Sequence, residues 1–337
     1  MFGIFYRLQQ AWQSSQEQLQ RIENRSNDAA NYGLMNQLLL DDFIERSLLL
    51  QGRHAATGLA AEIETLSEAE FRVFSQWGED GIVEWLVNHL DMSDHRFIEF
   101  GVESFREANC RFLLQHRNWR GLVMDSSEQN MAALRKERLF WMHDLTAKAA
   151  FIARENINDL IVTEGFAGPL GILSIDLDGN DYWVWKAIDC VNPAIVICEY
   201  NPILGDQHAL AVPYDAQFQR FSAHYSGLYF GCSIAALRHL AEQKGYTFVG
   251  TNSNGINAFF VRNDLGERVL RLIRYVKAFP SRHRDSRDRN GQLSFVRGQD
   301  RFRLIQDMPV VDVRTGETIL LRKVNRPFSD EWARESA

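Results

Sequence analysis

The 337 residues, 45% apolar and 24% charged, can bury a large core and are too hydrophobic for a disordered chain. No run approaches the roughly 20 apolar residues that cross a bilayer, and the apolar patch in MFGIFYRLQQAW is too short for a signal peptide, so a cytoplasmic protein is expected. The net charge of -7 hides a contrast, because Arg268 to Arg303 carries eleven Arg/Lys against three Asp, a basic segment on an acidic body. Such a segment can attract phosphate, a nucleotide-linked substrate or an anionic membrane face, or serve as a solvated helix facing the acidic body. No nucleic-acid partner is expected. The four cysteines, Cys110, Cys190, Cys198 and Cys232, form no Cys-x-x-Cys pair and read as reduced core residues.

In chain order, residues 1–70 are rich in Gln, Glu, Leu and Ala without proline and predict helix, with breaks near Asn31 to Gly33 and at Gly52. Phe5, Leu8, Trp12, Leu19 and Ile22 make a short heptad seam that either packs on its own domain or pairs two chains into a homo-oligomer. From Phe71 short apolar runs alternate with helical stretches, the pattern of a parallel sheet covered on both faces. Strands are predicted at 97–100, 121–125, 139–144, 171–177, 194–200, 246–251 and 258–262. The last two flank Asn252-Ser253-Asn254-Gly255, a hairpin signal. The fold class is therefore α/β: a Rossmann-like seven-stranded, mostly parallel sheet with an antiparallel last strand, plus a helical N-terminal extension. A helix through Val269, Leu270, Ile273, Val276 and Phe279 should stop at Pro280, and SRHRDSRDRNGQ beyond it reads as a mobile charged loop. The division expected is 1–70 extension, 71–265 catalytic domain and 266–337 basic helix and tail.

Ligands of open parallel sheets sit beyond the carboxyl ends of the strands. The first strand ends in Glu99-Phe100-Gly101-Val102-Glu103, where a glycine admits a cofactor and acids can face a cationic amine. The glycine fingerprint for a nicotinamide dinucleotide is absent. Asp125 ends the second strand at the separation from Glu99 where an acid reaches ribose hydroxyls, and Asp144, expected to end the third, could accept from an adenine amino group; either could instead cap a helix. The fourth yields Asp176-Leu177-Asp178-Gly179-Asn180-Asp181, three carboxylates in six residues, and the fifth Glu199. An EF-hand is excluded, since the glycine stands at the fourth loop position and Ala187 at the closing acid. An Asp-x-Asp pair holding Mg or Mn against a nucleotide sugar stays open, as does helix capping for one of the acids. Paired carboxylates could also bind a divalent metal through Asp176, Asp178, Asp181 and Glu199, or take a proton from a hydroxyl. His208 and His224 are further base candidates.

SQWGEDGIVEWL, FIEFGVESFREANCRFLL, NWRGLVMDSS, ILSIDLDGNDYWVWKAI, IVICEYNP, YFGCSIAALRHLAEQKGY and NSNGINAFFVRNDL together resemble the FkbM-type methyltransferase family, whose bacterial relatives often accompany surface-polysaccharide biosynthesis. The resemblance implies S-adenosylmethionine bound by Gln76, Glu99, Gly101, Glu103, Asp125, Ser126 and Asp144. It implies O-methylation of a sugar or glycolipid-type acceptor, with Asp176 or Asp178 as base and Glu199 as orienter or co-ligand. The chain departs from many members at Ser104-Phe105-Arg106, where the phenylalanine is expected to crowd the methionine pocket. A glycosyltransferase using Asp176 and Asp178 with a metal, or a non-catalytic assembly module, are the other readings.

Overall fold

The computed structural model describes residues 20, 32–33, 35–37, 39–282 and 284–335, so the Phe5 to Ile22 seam lies outside the described residues. The chain divides into two compact units, Met1–Gln51 and Gly52–Ala337. Helix α1 covers residues 39–57.

The second unit is built on a seven-stranded sheet. Its strands are β1 (Arg96–Phe100), β2 (Arg120–Asp125), β3 (Leu145–Ala149), β4 (Gly168–Ile175), β5 (Val191–Glu199), β7 (Tyr246–Thr251) and β8 (Asn257–Arg262), in the order β3-β2-β1-β4-β5-β8-β7. A two-residue β6 (Leu210–Ala211) lies outside this sheet. The first five are mutually parallel, and β8 runs antiparallel between β5 and β7. This is the expected Rossmann-like sheet with its antiparallel hairpin strand inserted last.

Both faces are covered because successive residues of the central strands point to opposite sides. Phe97, Val123, Ile172 and Ile195 pack with Ile82, Trp85 and Leu86 of α2 (Glu79–His89), while Ile98, Leu122, Leu173 and Val196 pack with Val184 and Trp185 of α7 (Asp181–Ala187). Between these helices lie α3 (Arg111–Arg117), α4 (Glu128–Leu134), α5 (Arg138–Met142) and α6 (Ile157–Thr163); α8 (Arg220–Ala223), α9 (Ile234–Lys244) and α10 (Asn263–Leu270) follow. Ser233 caps α9 by accepting from Ala236 N, and Gly245 ends it in the left-handed conformation.

Four sequence expectations are corrected. The N-terminal helix ends at residue 57; residues 58–78 hold turns and bends, a bridge between Ile63 and Ile273 and a short 3-10 helix, Leu66–Ala69. The strand expected at 139–144 is the helix α5, which buries only Leu139 and leaves Trp141 and Met142 exposed; β3 follows it. The Leu-Thr-Ala-Lys-Ala of β3 is a weak strand sequence that pairing with β2 imposes. Helix α10 stops at Leu270, ten residues before Pro280, because Ile63 exchanges backbone hydrogen bonds with Leu272 and Arg274 there. Finally, 284–297 is not free of structure: Ser286 Oγ meets Ser294 Oγ and Val296 N, and Asp288 accepts from Asn290 N and Gln292 N.

The C-terminal stretch adds α11 (Gly298–Ile305), β9 (Pro309–Asp312), β10 (Thr318–Leu320) and α12 (Asp330–Glu335). A small sheet of order β10-β9-β6 and a third apolar cluster, including Leu204, Leu210, Leu228, Ile305, Val310 and Leu321, join this stretch to the segment after β5. That packing brings residues near 281–301 to the carboxyl end of the main sheet.

Candidate functional site

A cleft of about 1010 Å³ opens at the carboxyl ends of β1, β2, β4 and β5. Gln76, Glu99, Gly101, Glu103, Asp125 and Ser126 line one part of its wall, and Asp176, Asp178 and Glu199 another. Asp144 and Asp181 are not in it.

The turn after β1 depends on Gly101. Its φ is +68°, and a Cβ there would come within 1.7 Å of the Asp176 carbonyl oxygen, so no other residue lets the β1 and β4 ends approach this closely. Glu103 and Phe105 also adopt positive φ, in a tight turn closed by Phe105 N donating to Val102 O at 2.6 Å. The Phe105 side chain turns into the core and is fully buried, so the crowding expected of it does not occur; Arg106 lines the cleft instead.

Each acid at these strand ends organises a neighbouring loop. Glu99 accepts from Asn109 N at 2.6 Å and Cys110 N at 3.1 Å, and burial nevertheless pushes its carboxyl up to about 7. Asp125 accepts from Glu103 N through Oδ2 at 2.9 Å and from Ser127 N through Oδ1 at 2.8 Å, which leaves each oxygen a second lone pair. Gln76 follows a loop wound around Asp80, whose Oδ2 accepts from Val73 N, Phe74 N, Ser75 N and Ser75 Oγ at 2.7–2.8 Å. Burial pushes Asp80 up to about 6. Beside it, Glu79 accepts from Trp77 N and from the Asn252 and Asn257 side-chain amides, tying the start of α2 to the β7–β8 hairpin. From sequence Glu79 and Asp80 look like ordinary acids at a helix N-terminus. Their role in folding the residues before that helix needed the structure.

The β4–β5 register pairs Ser174 with Ile197 and Ile175 with Cys198, so the next residues along, Asp176 and Glu199, emerge side by side. One oxygen each of Asp176, Asp178 and Glu199 lie within 4.8 Å of one another. Asp181 does the capping: its carboxylate accepts from Leu177 N at 2.7 Å and Gly179 N at 3.0 Å, which removes it from the open cluster. Burial, then the charges of neighbouring acids, push Asp176 and Glu199 well above the ordinary carboxylate range. Arg220 Nη1 reaches Asp178 Oδ1 at 2.8 Å. It is held there by its Nε bond to Gly227 O at 2.5 Å and by the Phe230 ring, whose centre lies 3.9 Å from the guanidinium carbon. Arg220, Arg301 and Asp285, all in the cleft wall, were not found from sequence because no strand-end or motif signal marks them.

Asp144 lies at the amino-terminal end of β3, where its carbonyl oxygen accepts from Gly121 N and its exposed carboxylate is 3.6 Å from Arg120. Once β3 begins at Leu145, Asp144 falls at the edge of the sheet opposite the cleft. His208 and His224 bond to Asn325 O and Ser226 Oγ and do not line the cleft.

Sheet and cleft together define a Rossmann-like α/β protein with a cleft at the carboxyl ends of the central strands, the place where open parallel sheets bind ligands. No protein-family model matches the sequence, and no curated protein matches it. Among solved structures it is similar to an O-methyltransferase from Bacillus cereus in complex with SAH, at 15% identity over 64% of this chain and 89% of that one, with a TM-score of 0.37. A S-adenosylmethionine-dependent methyltransferase from Clostridium acetobutylicum is similar at 8% identity over 55% and 90% of the two chains, TM-score 0.35. A putative O-methyltransferase from Klebsiella pneumoniae is similar at 12% identity over 65% and 90%, TM-score 0.34.

Proposed function

We propose that this chain is a S-adenosylmethionine-dependent methyltransferase of the FkbM type that methylates a hydroxyl of a sugar or sugar-derived acceptor, in keeping with surface-polysaccharide biosynthesis. The observation that carries the reading is the acidic lining of the cleft: eight carboxyl groups, those of Glu99, Glu103, Glu107, Asp125, Asp176, Asp178, Glu199 and Asp285, stand against the guanidiniums of Arg106, Arg220 and Arg301, and without the raised Glu99, Asp176 and Glu199 five still stand against three. Such a wall favours a cofactor bearing a sulfonium and an ammonium and opposes a bare pyrophosphate. The residues fit that cofactor. Gly101 keeps the wall low beside it, and the second lone pairs of Asp125 suit two ribose hydroxyls.

When bound, the cofactor supplies the activated methyl group. The chain's own task is alignment of an acceptor oxygen for in-line displacement, and removal of that oxygen's proton. Asp176 or Asp178 is the base in this reading, with Glu199 beside it as orienter, and Arg220 limits the mutual repulsion of the three. The Asp-x-Asp glycosyltransferase reading is less favoured, because a nucleotide diphosphate would enter an acidic cleft and need a metal to do so.

Calorimetry decides between these. S-adenosylhomocysteine is expected to bind, and Asp125→Ala to weaken it by about 1.5–3 kcal/mol for each hydroxyl bond lost. Binding of UDP- or GDP-sugars in its place would make the chain a nucleotide-sugar enzyme, and binding of neither would point to an assembly module.

A further inference from the structure

We propose that the segment 218–222 forms the acceptor subsite of the cleft, with the exposed ring of Phe221 as the platform on which one face of a sugar ring rests. Phe218, Gln219, Arg220, Phe221 and Ser222 all line the cleft. Phe218 docks the segment beside the acids, because its ring packs on Gly179, where a Cβ would come within 2.2 Å of Phe218 Cδ1. Arg220 Nη1 on Asp178 Oδ1, at 2.8 Å, is the second tie. Phe221 differs from these two. It is 53% exposed and joins none of the three apolar clusters, so the cores do not need it. The ring is nevertheless seated: a Cβ on Gly227, at φ +68°, would come within 2.5 Å of Phe221 Cε1, and the guanidinium carbons of Arg220 and Arg287 lie 5.9 and 5.8 Å from the ring centre. An exposed aromatic ring held in place inside a cleft is a surface for the apolar face of a ligand.

The neighbours of Phe221 in the cleft wall are polar. The Ser222 hydroxyl donates to Gln219 Oε1 at 3.2 Å, which leaves the two N–H groups of that amide to other acceptors. Asp178 bonds to Arg220 through Oδ1 and keeps Oδ2 as an acceptor. An amide, a hydroxyl and a carboxylate in the wall that carries one apolar platform match a ligand with a C–H face and a rim of hydroxyls, which is the build of a pyranose. A planar phenol lacks that rim of hydroxyls, and a phosphate lacks the apolar face. The subsite deepens the reading of a sugar acceptor, on which it rests, by placing that acceptor on the wall that carries Asp178 and by making Phe221 a determinant of acceptor specificity.

The test reads binding and needs no turnover. The methyl glycosides of glucose, galactose, mannose and rhamnose are offered singly to the full chain, and saturation-transfer-difference nuclear magnetic resonance shows which of their protons touch the protein. At least one glycoside is expected to bind, with the C–H protons of one ring face saturated most strongly. Phe221→Ala should weaken that binding by about tenfold, Phe221→Leu by a similar factor because leucine is apolar without being flat, and Phe221→Trp should retain it. Gln219→Ala should weaken it by about fivefold. Circular dichroism checks that the variants fold, as expected for side chains outside the cores. No saturation of any glycoside, binding indifferent to Phe221→Ala, or binding of catechol in place of the glycosides overturns the subsite. S-adenosylhomocysteine calorimetry on the same proteins is scored separately. Failure there removes the methyl-transfer reading alone, whereas glycoside binding insensitive to Phe221→Ala removes the platform alone.

Discussion

Glu99 sits 4% exposed at the end of β1 and spends its carboxylate on two backbone N–H groups. Burial outweighs those bonds and raises the group from an ordinary 4.5 to about 7, so the folded chain holds the proton more tightly than the unfolded chain does. Its contribution to stability is complete below about 4.5 and is lost as pH rises through about 7. Glu99→Gln should therefore flatten the pH dependence of the thermal midpoint across that window, removing a change on the order of 3 kcal/mol at most. Melts at several pH values check this. Asp80 and Asp181, each raised to about 6, and Asp176 and Glu199, also raised by burial, should leave a residual slope with the same sign. An unaltered slope in the variant would mean that Glu99 is not the group responsible. Glu99, Asp125 and Asp176 were legible as residues of the cleft wall because each stands at or near the end of an apolar run. The loop-folding work of Glu99, Asp80 and Asp181 was not, because their N–H partners are chosen by how the chain turns.

At the scale of elements, the basic stretch following α10 is the clearest departure. Composition alone suggests a mobile charged loop, yet Ser286 and Asp288 knit it together, and Arg287 N donates to Ser226 O. Arg282, Arg284 and Arg289 remain exposed; Arg284 and Arg289 lie over Phe295 and Tyr225 at 5.2 and 5.0 Å from the ring centres. Arg287 is engaged with Asp285, itself part of the cleft wall. If the acceptor is anionic, replacing Arg282, Arg284 and Arg289 with Gln should raise its KM without changing cofactor affinity. The difference should shrink with added salt, since the Debye length is already about 10 Å at 0.1 M. Steady-state kinetics at low and high salt measure this, and an acceptor KM that ignores both changes marks the stretch as a solvated face. The misread third strand has a related cause: Leu139-Phe140-Trp141-Met142 is as apolar as a strand, but the sheet had room for only one segment beside β2, and Leu145–Ala149 took it.

For the whole molecule, the division after Gln51 makes a direct expectation. Tyr32, Met35, Leu39, Phe43 and Leu50 are each more than half exposed, at the three- and four-residue steps of one helical face. A chain lacking residues 1–51 should fold, bind S-adenosylhomocysteine as before, and show fewer chains per particle by light scattering if this face pairs two copies. The same number of chains per particle as in the full chain would assign the exposed face no part in assembly. The basic segment, by contrast, falls within the unit carrying the cleft, Gly52–Ala337, and is followed there by β9 and β10, which form the small sheet with β6.

The sequence by itself determined the type and order of six of the seven main strands, the hairpin at Asn254-Gly255, and the acids at the carboxyl ends of β1, β2, β4 and β5. Periodicity and turn chemistry act over a few residues and survive any rearrangement around them. Only the tertiary structure decided which end of β3 holds Asp144, that Phe105 enters the core, that Arg220 meets the distant carboxylate of Asp178, and that Asp285 and Arg301 join the cleft wall. Those outcomes depend on strand register and on packing between distant segments, where one residue of slip moves a side chain to the other face of a sheet.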